Sequence, residues 1–309
     1  MQDLHELPKL RDSLSYLYVE HATVERAQHA VECFDAYGGR TLVPATNLTV
    51  LMLGPGTRIT SEAIKVLTSS GALVLWTGEQ GVRCYAQGMG ETRKAYHLLK
   101  QAELVSDPLK RMQVVLRMYR YRFGEQLHPE LSLEQIRGFE GVRVRKAYAE
   151  ASREYGVKWN GRQYDRQNWN AGDPINRALS AANACLNGIC HAAIVSGGYS
   201  PGLGFIHNGK QLSFVYDIAD LYKVEMTIPM AFKMTAESTE KLESRVRQAC
   251  REMFRERKLL DRILPDIDNV LGITAEDLEM GAAADADMAR PEPLWDFPME
   301  EAADDRDDS

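Results

Sequence analysis

The chain has 309 residues, with 37 lysines and arginines against 44 aspartates and glutamates, so its net charge is −7. Apolar residues make up 44% and charged residues 26%, which is typical of a soluble globular protein and excludes a disordered or fibrous one. Its five cysteines include no Cys-x-x-Cys pair, and we expect neither a secretory signal nor a membrane span, so a cytoplasmic location is predicted.

The first ninety residues predict short strands. Runs rich in β-branched and aromatic residues are separated by turn signals such as Gly54-Pro55-Gly56. One short helix interrupts them, with Thr60 or Ser61 as its N-cap and Gly71 after its end. The predicted strands are residues 13–19, 30–34, 41–43, 49–53, 73–76 and 82–86. This spacing predicts a β-sandwich domain over residues 1–90.

From about residue 90 the apolar residues follow a helical period instead. The predicted helices are residues 91–105, 108–123, 132–155, 175–196, 213–229, 236–258 and 260–271. Residues 175–196 are almost uncharged, which marks a buried central helix. Because strands and helices are segregated along the chain, we predict an α+β fold, with an N-terminal β-sandwich domain followed by a larger all-α domain over residues 91–280.

The last part of the chain carries the negative charge. Residues 275–309 hold thirteen acids and two bases, a net charge of −11, which leaves the other 274 residues at +4. Residues 281–309 are poor in large apolar residues and predict an acidic disordered tail. The folded part is therefore mildly basic, and the overall charge does not exclude a nucleic-acid partner.

Four residues of the helical part suggest a metal site. Asp217 and Asp220 are spaced i, i+3 in an apolar helix, so both carboxylates lie on one helical face, and His207 precedes that helix. Glu140 lies between two glycines inside another helix. Together they are hard ligands that suit Mg²⁺ or Mn²⁺ better than structural zinc. Two simpler explanations stay open, since acids are favoured in the first turns of helices and Glu140 has arginines within i±3.

Basic and aromatic residues are compatible with nucleic-acid binding. The segment 159–170 interleaves Trp, Tyr, Arg and amides, so Arg162 is placed to contact phosphate and Tyr164 to stack on an unpaired base. The alternative, that these aromatic side chains pack onto neighbouring helices, stays open. Arg58 and Arg83 are spread over the β domain, where each is also an ordinary surface base.

Several segments in order resemble one protein family. They are residues 53–58 (LGPGTR), 137–145 (RGFEGVRVR), 156–162 (GVKWNGR), 202–207 (GLGFIH) and 212–220 (LSFVYDIAD). They are similar to segments of the CRISPR-associated spacer-acquisition integrases (Cas-one), in the variant of the Cascade-type (type I-E) systems. The resemblance covers nearly all of residues 10–270, and it too implies a β-sandwich domain followed by an α-helical catalytic domain.

The resemblance also implies roles for individual residues. By motif position, the residues that bind Mg²⁺ or Mn²⁺ and carry catalysis fall on Glu140, His207 and Asp220, with Asp217 an additional nearby carboxylate. The implied DNA contacts, besides Tyr164 suggested above, are Arg58, Arg83, Arg162, Lys210 and Lys223.

The implied function is that of a metal-dependent DNA integrase and endonuclease of CRISPR adaptation, an antiviral defence. A 3′-hydroxyl of a short foreign DNA fragment attacks a phosphodiester at the end of a CRISPR repeat, and hydrolysis of DNA is the related activity. The implied partners are DNA, a second copy of the chain in a homodimer, and the small protein Cas-two in a heterohexamer. The alternative is a non-catalytic DNA-binding scaffold of the same complex.

Overall fold

Strands fill the N-terminal part of the computed structural model, which describes residues 16–35, 38–48, 50–79, 84–88, 95–124, 131–162 and 173–274. The strands are β1 (Tyr16–Val19), β2 (Ala22–Ala27), β3 (Ala30–Asp35), β4 (Arg40–Pro44), β5 (Val50–Leu53), β6 (Arg58–Ile59), β7 (Leu73–Thr77) and β8 (Cys84–Gly88). Helix α1 (Ser61–Ser69) interrupts them as predicted, and the Thr60 hydroxyl accepts a hydrogen bond from the Ala63 N–H. Strands β2 and β6 were not predicted.

Helices make up the rest of the described chain. They are α2 (Tyr96–Ser106), α3 (Pro108–Phe123), α4 (Leu133–Tyr155), α5 (Pro174–Ser196), α6 (Ser213–Asp220), α7 (Ile228–Glu237), α8 (Leu242–Glu256) and α9 (Leu259–Leu271). Ser132 and Gln135 form a reciprocal capping box at the start of α4. The predicted segregation of strands and helices, and with it the α+β fold class, is confirmed.

Two predicted helices have the wrong bounds. The helix predicted over residues 213–229 is divided, because α6 ends at Asp220 and Lys223–Thr227 forms a π-helical turn before α7. Pro229 occupies the first turn of α7, where its missing N–H is tolerated. The helix predicted over residues 236–258 begins only at Leu242, because Lys241 adopts a positive φ of 46° that no continuous helix accommodates.

The strands form two four-stranded sheets. One has the order β1-β5-β7-β8, in which β1, β5 and β7 are parallel and β8 is antiparallel to β7. The other has the order β4-β3-β2-β6. Both sheets share a hydrophobic core with α1, which contains Val24, Val31, Leu51, Leu67 and Val74. The sandwich packing itself stays a prediction.

The opposite face of the parallel sheet packs on α5. Val50 and Leu73 are completely buried there, in one cluster with Ala192 and Val195 of the helix. Most of the apolar length of α5 lies inside the protein, so this helix, although long and apolar enough to cross a membrane, has the burial of a core helix.

All described helices and strands belong to one compact unit, Met1–Ile273. The predicted boundaries at residues 90 and 280 stay predictions, and the predicted acidic tail, residues 281–309, lies outside the described residues.

Candidate active site

The carboxylate of Asp217 holds the loop that carries His207. Asp217 is completely buried on α6, and its Oδ2 accepts hydrogen bonds from the backbone N–H groups of Phe205 (2.6 Å) and Ile206 (3.1 Å). Its Oδ1 accepts from the backbone N–H of His207 (2.9 Å) and contacts His207 Nδ1 at 2.7 Å. An ionised carboxylate only accepts, so Nδ1 donates and Nε2 keeps the free lone pair of the neutral ring.

This bonding argues for a different role from the one predicted for Asp217. Both of its oxygens already accept two hydrogen bonds each, and a metal ion would have to displace some of them. We therefore assign Asp217 to the positioning of His207 rather than to metal coordination.

The carboxylates of Glu140 and Asp220 meet at the guanidinium of Arg122. Arg122 Nη1 contacts Glu140 Oε1 and lies 3.9 Å from Asp220 Oδ2. The other oxygen of Glu140 accepts a 2.7 Å hydrogen bond from the Tyr119 hydroxyl, and Lys223 forms an ion pair with Asp220. Helices α3, α4 and α6 and the π-helical turn thus bring two acids and two cations into one small, largely buried cluster.

The charges of this cluster act on its titratable groups. Burial alone would raise the pKa of Asp220, but the Lys223 and Arg122 cations outweigh it and hold this pKa below its usual value. The pKa of His207 is raised, chiefly by the hydrogen bond to Asp217, against an opposing effect of burial. Each of Asp220 and His207 also favours the charged form of the other, which contributes to both pKa shifts.

The oxygen and nitrogen ligands that these side chains offer are of the kinds that a hard divalent cation binds. Glu140 and Asp220 offer carboxylate oxygens, and His207 offers Nε2 of a ring that Asp217 orients. Within the described parts of the chain, however, no three His, Cys, Asp or Glu side chains are gathered closely enough to hold a metal ion as they stand. Both carboxylates pair with cations instead, so binding a metal requires at least Arg122 to shift.

Two of the predicted DNA-contact residues are engaged within the protein. The guanidinium of Arg162 donates to the backbone oxygen of Asn176 and to Ser180 Oγ, both at 2.9 Å, and so ties its segment to the start of α5. Lys223 pairs with Asp220. Both also line a cavity of about 810 Å³ beside β8, α5 and α8, where their remaining surface faces solvent.

The other predicted contacts are spread apart or lie outside the described residues. Arg58 is exposed on β6, and Lys210 is exposed in the turn before α6. Arg83 and Tyr164 are outside the described residues.

Sequence reasoning missed Arg122 and Tyr119. Both lie on α3, three residues apart and therefore on one helical face, and Tyr119 is almost completely buried. The sequence signal was that Arg122 lies on the same helical face as the apolar residues Val115 and Met118. Such a charge needs a buried partner of opposite sign.

Substituting Gly204 with alanine should disturb the loop that carries His207. A Cβ atom there would collide with the His207 carbonyl oxygen and lie 2.8 Å from Ser213 Cβ. We expect the free energy of unfolding to fall by about 1–3 kcal/mol, measured by chemical denaturation. Gly202→Ala is the matched control, because its Cβ would find Gln211 O as nearest atom at 3.6 Å. Equal stabilities of the two variants would contradict this steric account.

The hydrogen bond between His207 and Asp217 should also make stability depend on pH. Because the pKa of His207 is raised in the folded state, its contribution is fully present below the unfolded pKa of about 6.5 and is lost as pH rises through the folded value. Urea unfolding of the wild type and His207→Asn from about pH 6 to about pH 9 measures this contribution. The stability difference should shrink as pH rises, and a constant difference would contradict the assignment.

The comparisons with known proteins agree with this fold. The family model of CRISPR associated protein Cas1 matches residues 122–251, which contain Arg122, Glu140, His207 and Asp220. A solved structure of a TtCas1–DNA complex aligns with a TM-score of 0.77 at 55% identity, covering 87% of this chain and 100% of that chain. The fold and these matches thus define a protein of the CRISPR-associated class.

Curated relatives narrow this class to one family. The chain is 54% identical over 299 residues to CRISPR-associated endonuclease Cas1 2 of Thermus thermophilus, covering 96% of this chain and 90% of the relative. It is 42% identical over 268 residues to CRISPR-associated endonuclease Cas1 of Escherichia coli K12, covering 87% and 88%. The chain belongs to the Cas1 family, which confirms the resemblance seen in the sequence motifs.

Proposed function

We propose that this protein is a metal-dependent DNA endonuclease and integrase of CRISPR adaptation, which inserts short foreign DNA fragments into the CRISPR array. Relatives at 54% and 42% identity are named CRISPR-associated endonucleases, and a relative of known structure is bound to DNA. The observation that carries the proposal is the meeting of Glu140 and Asp220 at Arg122, together with the orientation of His207 by Asp217.

The proposed reaction is a transesterification. The 3′-oxygen of the incoming fragment forms a bond to phosphorus at the repeat end, and its proton is released. The bond from that phosphorus to the 3′-oxygen of the neighbouring nucleotide breaks, and this oxygen leaves as a hydroxyl after taking up a proton. In the hydrolytic reaction a water molecule replaces the attacking hydroxyl.

Each residue of the site has a part in this proposal. Glu140, Asp220 and His207 Nε2 would hold Mg²⁺ or Mn²⁺. When bound, such an ion activates the attacking oxygen and stabilises negative charge on the phosphate. Asp217 keeps Nε2 free by holding Nδ1. Among the described bases, Arg58 and Lys210 are exposed, which suits contact with the DNA backbone.

The assembly is part of the proposal. We propose a homodimer that joins a dimer of the small protein Cas-two in a heterohexamer, as the sequence resemblance implies. Residues 1–274 carry a net charge of +4, which suits an assembly that binds along a DNA duplex.

A strand-transfer assay tests the proposal. The full chain, with its small partner, is incubated with a fluorescent 3′-hydroxyl duplex and supercoiled DNA that carries a CRISPR repeat, in Mn²⁺ or in EDTA. We expect joined product only with Mn²⁺, and none from the Glu140→Gln variant. Salt-dependent DNA binding without any metal-dependent product would support the non-catalytic scaffold instead.

A further inference from the structure

The side chain of Arg122 is more deeply buried than the two carboxylates it contacts. Only 6% of its side chain is exposed, against 20% for Glu140 and 13% for Asp220. A charged guanidinium is stable at this depth only when opposite charges face it. Both acids do so through a single nitrogen, Nη1, so Arg122 supplies the positive charge that holds the two carboxylates together.

The guanidinium is held by these carboxylates more than by anything else described around it. Its Nε is buried and has no hydrogen-bond partner among the described residues, and its carbon lies 5.1 Å above the Phe123 ring. A guanidinium fixed for structural reasons alone usually has its donors satisfied. Arg122 is therefore tied to its place mainly by the two acids that a metal ion would need.

Arg122 and a divalent cation cannot both keep these contacts. Each would bind the same carboxylate oxygens, and two positive charges at that distance repel strongly where little water screens them. Lys223 adds to the effect, but among the described residues its ion pair is with Asp220 and not with Glu140, and it is more exposed than Arg122. Arg122 is thus the cation whose displacement frees both carboxylates.

We propose that Arg122 is a resident counter-cation of the site, a positioning residue that holds Glu140 and Asp220 together without metal and competes with the divalent cation for them. This inference rests on the metal site of the proposed function. The competition lowers the affinity for metal in the free protein. A phosphate group that pairs with the displaced guanidinium relieves it, so DNA and metal bind with positive coupling.

Mn²⁺ titration of the full chain, followed by the electron paramagnetic resonance signal of the free ion, tests this competition without any measurement of activity. We expect Arg122→Gln to bind Mn²⁺ at least about tenfold more tightly than the wild type in the absence of DNA. Arg120→Gln is the matched control, with the same change of charge at an exposed position of the same helix. Its affinity should equal that of the wild type.

Each other outcome decides a different point. Unchanged or weaker Mn²⁺ binding by Arg122→Gln would overturn the competition while leaving the metal site intact. If Glu140→Gln binds Mn²⁺ as well as the wild type does, or if neither binds it, the metal site of the proposed function is itself wrong. If Arg122→Gln does not fold alone, added Mn²⁺ should restore its far-ultraviolet circular dichroism, because the ion takes over the freed carboxylates. Failure to do so would equally overturn the proposal.

Discussion

Replacing Glu140 with glutamine should abolish metal-dependent strand transfer while leaving the protein folded. The amide keeps the shape of the carboxylate, and its oxygen can still face Arg122 while its NH₂ group faces the Tyr119 hydroxyl oxygen. It loses the negative charge that a divalent cation needs. A bound divalent cation stabilises the transition state by several kcal/mol, and losing that stabilisation corresponds to a rate reduction of roughly 1,000-fold or more.

The control for this variant lies on the same helix. Glu150→Gln makes the same change of charge at a half-exposed side chain, whose described ion pair is a 3.8 Å contact with Lys146. Its rate should equal that of the wild type, since exposed pairs contribute little. The rate is measured by gel quantification of joined DNA, and circular dichroism verifies the fold of both variants. A Glu140→Gln rate within about tenfold of the wild type would mean that Glu140 is not a ligand.

The starts of α3, α4 and α5 were predictable because the chemistry that sets them is local. Asp107, Ser132 and Asp173 all accept hydrogen bonds from backbone N–H groups of the first turn that follows them. Each of these contacts involves residues two or three positions apart. A cap can therefore be read from the sequence without knowledge of what the helix packs against.

The pairing of the strands was harder to predict. Residues Val50–Leu53 and Leu73–Thr77 are almost continuously apolar, which is typical of parallel strands buried on both faces. Their faces contact different partners, α1 on one side and α5 on the other. Because α5 lies more than a hundred residues further along the chain, nothing near the strands indicates its presence. The turn-rich spacing therefore favoured a sandwich of short strands and left the parallel order unseen.

The candidate site was predictable only in part, for a similar reason. Motifs identified Glu140, His207 and Asp220, because each lies in a segment with a distinctive local sequence. Arg122 has no such motif, and its role depends on the packing of α3 beside α4 and α6. The division of roles between Asp217 and Asp220 also needed the fold, since i, i+3 spacing gives both carboxylates the same face but not the same neighbours.

Replacing Asp217 with asparagine should destabilise the protein and also weaken its site. An amide has one accepting oxygen, so its NH₂ group would oppose N–H donors that now bind the second carboxylate oxygen. Two buried donors left without partners cost roughly 2–5 kcal/mol in the free energy of unfolding. Freeing His207 from its orientation should reduce strand transfer about 10- to 100-fold at temperatures where the variant is folded.

Asp107→Asn is the control that separates these effects from the substitution itself. Asp107 also accepts two backbone N–H hydrogen bonds, but both go to Oδ1 at the exposed start of α3, and asparagine caps helices as well as aspartate does. Its unfolding free energy should change by less than about 0.5 kcal/mol. If Asp217→Asn were equally harmless, the second carboxylate oxygen of Asp217 would contribute nothing to the stability of the loop that carries His207. If it were unstable yet fully active when folded, His207 would not need Asp217 to hold its ring, and the separation of a positioning aspartate from a metal-binding one would fail.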